Sequence, residues 1–132
     1  MYLVDTSVWI DAQQRKPRRK GQLLREWTET GVVFGLAPVI LQEILQGTRN
    51  EKSFEKTRYR LSLERCYMPG DPVQTFIEAG RLYARCRWQG YMPRSSNDCL
   101  IAQLAIEHDL VLLHDDADFE KIAQVEPRLR LA

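Results

Sequence analysis

Cysteine is scarce and scattered in this chain. The three cysteines of its 132 residues, Cys66, Cys86 and Cys99, show no CxxC spacing, so neither a disulfide framework nor a zinc-thiolate site is indicated. Histidine is rarer: the two present, His108 and His114, fall at a helix end and a strand end and are better explained by structure than by ligation. No apolar run approaches the roughly eighteen residues that a spanning helix needs, and the N-terminus has neither a basic n-region nor a long apolar h-region. The expectation is a soluble, cytoplasmic protein without a membrane partner. A surplus of one charge sign is also missing, since the formal net charge is +1. With 44% hydrophobic and 28% charged residues, the composition suits one globular domain, residues 1–132, with a single core.

The near-neutral total conceals an uneven distribution. "RKPRRK" gathers Arg15, Lys16, Arg18, Arg19 and Lys20, and Arg81, Arg85, Arg87 and Arg94 follow later, while "HDDAD" collects acids near the C-terminus. Between these zones the chain alternates. "YLV" reads as a short strand and "TSVWIDAQQ" as a helix with Val8, Trp9 and Ala12 on one side. After the basic loop, "GQLLREWTETG" reads as a helix and "VVFGLA" as a strand ending at Pro38, which suits the first position of a helix running to Gln46. That helix is apolar around much of its circumference and should be buried. A charged helix is expected across "NEKSFEKTRYRLSLERC". Asp71 and Pro72 open another that stops near Gly90, and Ser95, Ser96 and Asn97 lead into one more. "VLLH" fits a fully buried parallel strand, "DFEKIAQV" a short helix and "LRL" a last strand. The expected class is α/β: a parallel sheet sandwiched between helices.

In such sheets reactive groups gather beyond the carboxyl ends of the strands. Asp5 follows "YLV", Asp115, Asp116 and Asp118 follow "VLLH", and Asp98 opens the helix leading into that strand. Glu43 shares a helix face with Val39 and Ile40 and has no lysine or arginine within one turn, an expensive setting for an ionised group. Each acid has a plainer explanation: Asp5 as a helix cap, Asp98 as a helix-opening residue, the Asp trio as a turn, Glu43 reaching past its apolar neighbours to water. Together they are harder to dismiss, because two bare carboxylates about 4 Å apart repel by about 4 kcal/mol at an effective dielectric near 20. A cluster of them calls for a cation. Oxygen ligands alone favour Mg²⁺ or Mn²⁺ over zinc, and a hard-metal site beside basic surface suits phosphodiester cleavage.

"YLVDTSVWID", "PVILQEIL", "SSNDCLIAQLA" and "VLLHDDADFEKIA" together resemble the PIN-domain ribonucleases, in particular the VapC-type toxins of bacterial toxin–antitoxin pairs, over nearly the whole chain. That resemblance implies a single PIN-like domain and a metal-dependent endoribonuclease. It matches Asp5, Glu43, Asp98 and Asp116 to the catalytic acids, with Asp5, Asp98 and Asp116 holding Mg²⁺ or Mn²⁺. Thr6, Ser7, Asn97 and Asp118 become supporting residues, and sequence alone leaves open which acid of "HDDAD" points inward. Arg15, Lys16, Arg18, Arg19 and Lys20 are candidates for holding RNA, the alternative being a solvated loop. The resemblance further implies an RNA substrate, with transfer RNA among the candidates, a cognate antitoxin and a homodimer. Two other readings compete. A haloacid-dehalogenase-like phosphatase also places an Asp after its first strand, but it needs a second Asp where this chain has Ser7. A non-catalytic RNA-binding or interaction module of the same fold would not need four acids.

Overall fold

Five very short parallel strands form the centre of the protein, in the spatial order β3-β2-β1-β4-β5. The structure, a computed structural model, describes residues 1–132. In chain order the elements are β1 (Tyr2–Val4), α1 (Thr6–Ala12), α2 (Arg19–Thr30), β2 (Phe34–Leu36), α3 (Pro38–Gln46), α4 (Glu51–Ser62), β3 (Arg65–Cys66), α5 (Pro72–Trp88), α6 (Ser96–Glu107), β4 (Val111–Leu113), α7 (Ala117–Val125) and β5 (Arg130–Leu131). All strand pairs are parallel, with Leu3 opposite Gly35 on one side and Leu112 on the other.

Strands buried on both faces need apolar side chains at successive positions, which is what "LV" and "LL" supply. Leu3, Val4, Leu112 and Leu113 are fully enclosed, and Val8, Ile40, Ile101, Leu104, Phe119 and Ile122 pack on them from the helices. The strand order builds outward from β1 to β3, then jumps back across β1 to β4. With right-handed crossovers that reversal places the two sets of helices on opposite faces and opens a crevice between the carboxyl ends of β1 and β4. Trp9 fastens the first helix there: its indole N–H donates to the Val4 carbonyl at 2.9 Å.

Local signals account for most boundaries. Asp71 caps α5 with Pro72 behind it, and Asn50 caps α4 through the Ser53 N–H at 2.8 Å. Gly31, at φ 77°, ends α2 in the left-handed conformation that glycine adopts without strain. Three expectations need correction. The charged helix stops at Ser62, and Arg65–Cys66 instead forms β3, an edge strand with both residues exposed and therefore without an apolar pattern to announce it. Gly35 permits that pairing, since a Cβ there would stand 2.4 Å from the Arg65 carbonyl oxygen. Helix α2 starts two residues earlier than expected, taking Arg19 and Lys20 out of the basic loop. Helix α3 encloses only Ile40 and Ile44, because its other apolar residues border open grooves.

Candidate active site

Asp5 is both a cap and a member of the acidic group. Its extended backbone stops β1 and opens α1, and its Oδ2 accepts from the Ser7 N–H at 3.1 Å and the Ser7 hydroxyl at 2.6 Å. Burial pushes its carboxyl above the usual range in spite of those bonds, with the nearby Glu43 charge adding to the rise. Asp98 lies in the first turn of α6, behind the Ser95 cap, and Asp116 caps α7, its Oδ1 accepting from the Asp118 N–H at 2.9 Å. Three of the acids thus stand at helix N-termini, where the backbone amides favour negative charge. Glu43 comes from the second turn of α3. Thr6 places it, donating its hydroxyl to Glu43 Oε1 at 2.8 Å across 37 residues of chain.

Carboxylate oxygens of Asp98, Asp116 and Asp118 lie within 4.8 Å of one another. Asp5 and Glu43 are not part of that trio but lie within electrostatic reach of Asp98. Asp98 is 8% exposed; burial first, then the charges of Asp116, Asp5, Asp118 and Glu43, weaken it as an acid and push its carboxyl up to about 7. Asp118 behaves oppositely. Burial alone would raise it, but bonds from the Tyr91 hydroxyl at 2.6 Å and from Arg94 hold its carboxyl below the usual range. Asp115 turns away: its side chain pairs with Arg18 at 3.2 Å, while its N–H donates to Ser7 Oγ. Ser7 therefore ties the ends of β1 and β4 together. Asn97 does something different, donating its backbone N–H to Ser95 Oγ and bordering an apolar groove of about 330 Å³ between α5 and α6.

The donor set is entirely oxygen, which fits a hard divalent ion. The Asp98 carboxylate, which accepts no hydrogen bond from the protein and is enclosed among acids, is the kind of group that such an ion would relieve. Thiols are excluded as ligands here: Cys86 and Cys99 are buried, and burial pushes the Cys99 thiol up to about 12. His114 is also not a ligand. Its Nδ1 accepts the Asp116 N–H at 3.1 Å, and burial followed by the Lys20 charge lowers its basicity.

The basic run separates into distinct roles. Asp11 fixes the loop by accepting the N–H groups of Arg18 and Gly21. The Lys20 ammonium is occupied with the carbonyls of His114 and Ala132, the second at 3.0 Å. Arg15, Lys16 and Arg19 are exposed to solvent. Sequence reasoning missed Arg94 and Tyr91 as partners of the acids. Neither lies near Asp118 in the chain, so only the tertiary fold reveals the contact. Trp27 packs against Tyr2 with ring centroids 4.2 Å apart.

Comparison with known proteins identifies the family. The PIN domain family pattern matches residues 2–125. The chain is 32% identical over 126 residues to a VapC ribonuclease of Mycobacterium bovis and to ribonuclease VapC11 of Mycobacterium tuberculosis, covering 95% of this chain and 93% of each relative. Among solved structures, VapBC2 from Rickettsia felis bound to a promoter DNA fragment superposes with a TM-score of 0.76 at 19% identity, over 99% of this chain and 96% of that one. DNA-bound VapBC from Salmonella typhimurium gives 0.75 at 20%, over 99% and 96%. The chain belongs to the PIN-domain family. Within that family its sequence relatives are VapC ribonucleases, so the dehalogenase-like reading falls away.

Proposed function

We propose that this chain is a Mg²⁺- or Mn²⁺-dependent endoribonuclease, the toxin of a toxin–antitoxin pair, acting in the cytoplasm as one domain over residues 1–132. The observation that carries the reading is the gathering of Asp98, Asp116 and Asp118 oxygens within 4.8 Å of one another at the sheet's switch point, with the Asp98 carboxyl pushed up to about 7 by burial first and then by the charges of the surrounding acids. Asp5, Asp98 and Asp116 would hold the ion. Bound there, such an ion would supply acidified water and positive charge for a hydrolysis that leaves a 3′ hydroxyl and a 5′ phosphate.

The chain's own groups do the positioning. Glu43 has Oε1 fixed by Thr6 and Oε2 free of protein bonds, so it can accept a proton from the attacking water. Ser7 holds Asp5 in place and Tyr91 holds Asp118. Arg15, Lys16, Arg18 and Arg19 supply positive charge for the RNA backbone, with Arg18 shared with Asp115. Transfer RNA is among the substrates to test. VapBC complexes among the structural neighbours support a small antitoxin as partner, and a homodimer is the expected assembly.

The test is incubation of purified protein with structured RNAs, transfer RNA included, with Mg²⁺, Mn²⁺ or chelator. Asp5→Asn, Glu43→Gln and Asp98→Asn should each lower kcat/KM by about a hundredfold or more. Cutting that persists in chelator, or that survives Asp98→Asn undiminished, defeats the assignment.

A further inference from the structure

The acidic cluster has one cation bonded to two of its members. Arg94, in the loop between α5 and α6, reaches Asp118 through Nε at 3.1 Å and Asp116 through Nη2 at 2.9 Å. Its side chain is 77% exposed, and Nη1 makes no bond within the protein. The loop itself is anchored. Tyr91 donates to Asp118 Oδ1 at 2.6 Å, and the Arg94 backbone N–H donates to Asp118 Oδ2 at 3.2 Å. Both Asp118 oxygens are thus taken by the loop, making Asp118 its post. Asp116, in contrast, meets Arg94 through a single side-chain bond that another cation can replace.

RNA approaching this site meets concentrated negative charge, and a guanidinium is the side chain best shaped to grip a phosphate beside it. The other nearby cations are engaged elsewhere: Lys20 is occupied by main-chain carbonyls, and Arg18 is paired with Asp115, outside the Asp98, Asp116 and Asp118 cluster. We propose that Arg94 has two exclusive partners: Asp116 while that carboxylate holds no metal, and a backbone phosphate of the RNA once a divalent ion occupies it. The inference rests on the metal-nuclease reading above. Arg94 then competes with the ion in the absence of RNA and cooperates with it in the presence of RNA, because the phosphate draws the guanidinium off Asp116.

Calorimetric titration of the full chain with Mn²⁺, without RNA, tests the first half. Arg94→Gln should bind Mn²⁺ about tenfold more tightly than the parent, as expected for loss of one charge-assisted bond. Arg94→Lys, which keeps the charge, should stay within about threefold of the parent. At saturating Mn²⁺, Arg94→Gln should raise KM for a short RNA about tenfold or more, with partial recovery in Arg94→Lys. Mn²⁺ binding that is unchanged or weaker in Arg94→Gln overturns the competition, since a purely structural role for Arg94 gives that result. Tighter Mn²⁺ binding with an unchanged KM overturns the phosphate role. A parent protein that binds no Mn²⁺ removes the metal reading and this inference together. A parent that binds Mn²⁺ as Asp98→Asn does not, alongside an inert Arg94→Gln, removes the inference alone.

Discussion

Replacing Asp98 by Asn should stabilise the metal-free protein, and by an amount that depends on pH. The carboxyl sits at about 7 in the folded chain against an ordinary 3.8. Between those values the folded state binds more protons at this position than the unfolded chain, so stability falls as pH rises through the window. Above the window the cost is fully present; below pH 3.8 it vanishes. The rise corresponds to about 4 kcal/mol at most, and roughly 2–3 kcal/mol once residual solvent and a lost charge–dipole attraction at the start of α6 are allowed for. For a chain of 132 residues that is about 6–10 °C in Tm. Thermal unfolding in chelator should show this gain for Asp98→Asn at pH 8 and little difference from the parent at pH 4. Mn²⁺ at pH 8 should reverse the order, raising the parent's Tm and leaving the variant's nearly unchanged. A variant less stable than the parent at pH 8 in chelator, or one whose effect ignores pH, would refute the argument from crowded carboxylates.

Two other substitutions separate structure from function. Glu126 is buried at the end of α7, where Arg128 and Arg85 bond it at 2.9 Å each; the Arg128 bond above all brings its carboxyl down to about 2. Its contribution is present above the usual carboxylate value and lost as pH falls towards 2, so Glu126→Gln should cost about 2–3 kcal/mol in denaturant unfolding at pH 7 and much less at pH 3. Lys20→Met should lower stability by about 1–2 kcal/mol by freeing the carbonyls of His114 and Ala132. It should leave the salt dependence of RNA binding almost unaltered, whereas neutralising Arg15, Lys16 and Arg19 together should flatten it by about two to three in slope. Filter binding across a salt series distinguishes the two outcomes.

Local chemistry along the chain was enough to place most elements and the acids on them. "YLVD" and "VLLH" announce enclosed parallel strands that end on polar residues, and the capping residues before α5, α6 and α7 mark where helices begin. Those signals work because periodicity and capping depend on neighbours within one or two turns. By that logic Asp5 and Asp98 sit at strand and helix ends, and Glu43 on a helix face without a local counter-ion. What the tertiary structure decided depends on partners remote in sequence. β3 pairs where Gly35 lets another backbone come close, and because both its residues are exposed no apolar alternation marks it. In "HDDAD" three acids occupy one turn, and side-chain direction there follows from which of them caps α7, which meets Arg18 and which is claimed by Tyr91 and Arg94. The same distinction holds for the basic run. Its charge is written in the sequence, but whether an ammonium faces a phosphate or is used up on the carbonyls of His114 and Ala132 is settled only when β4 and the C-terminus come to lie beside α2.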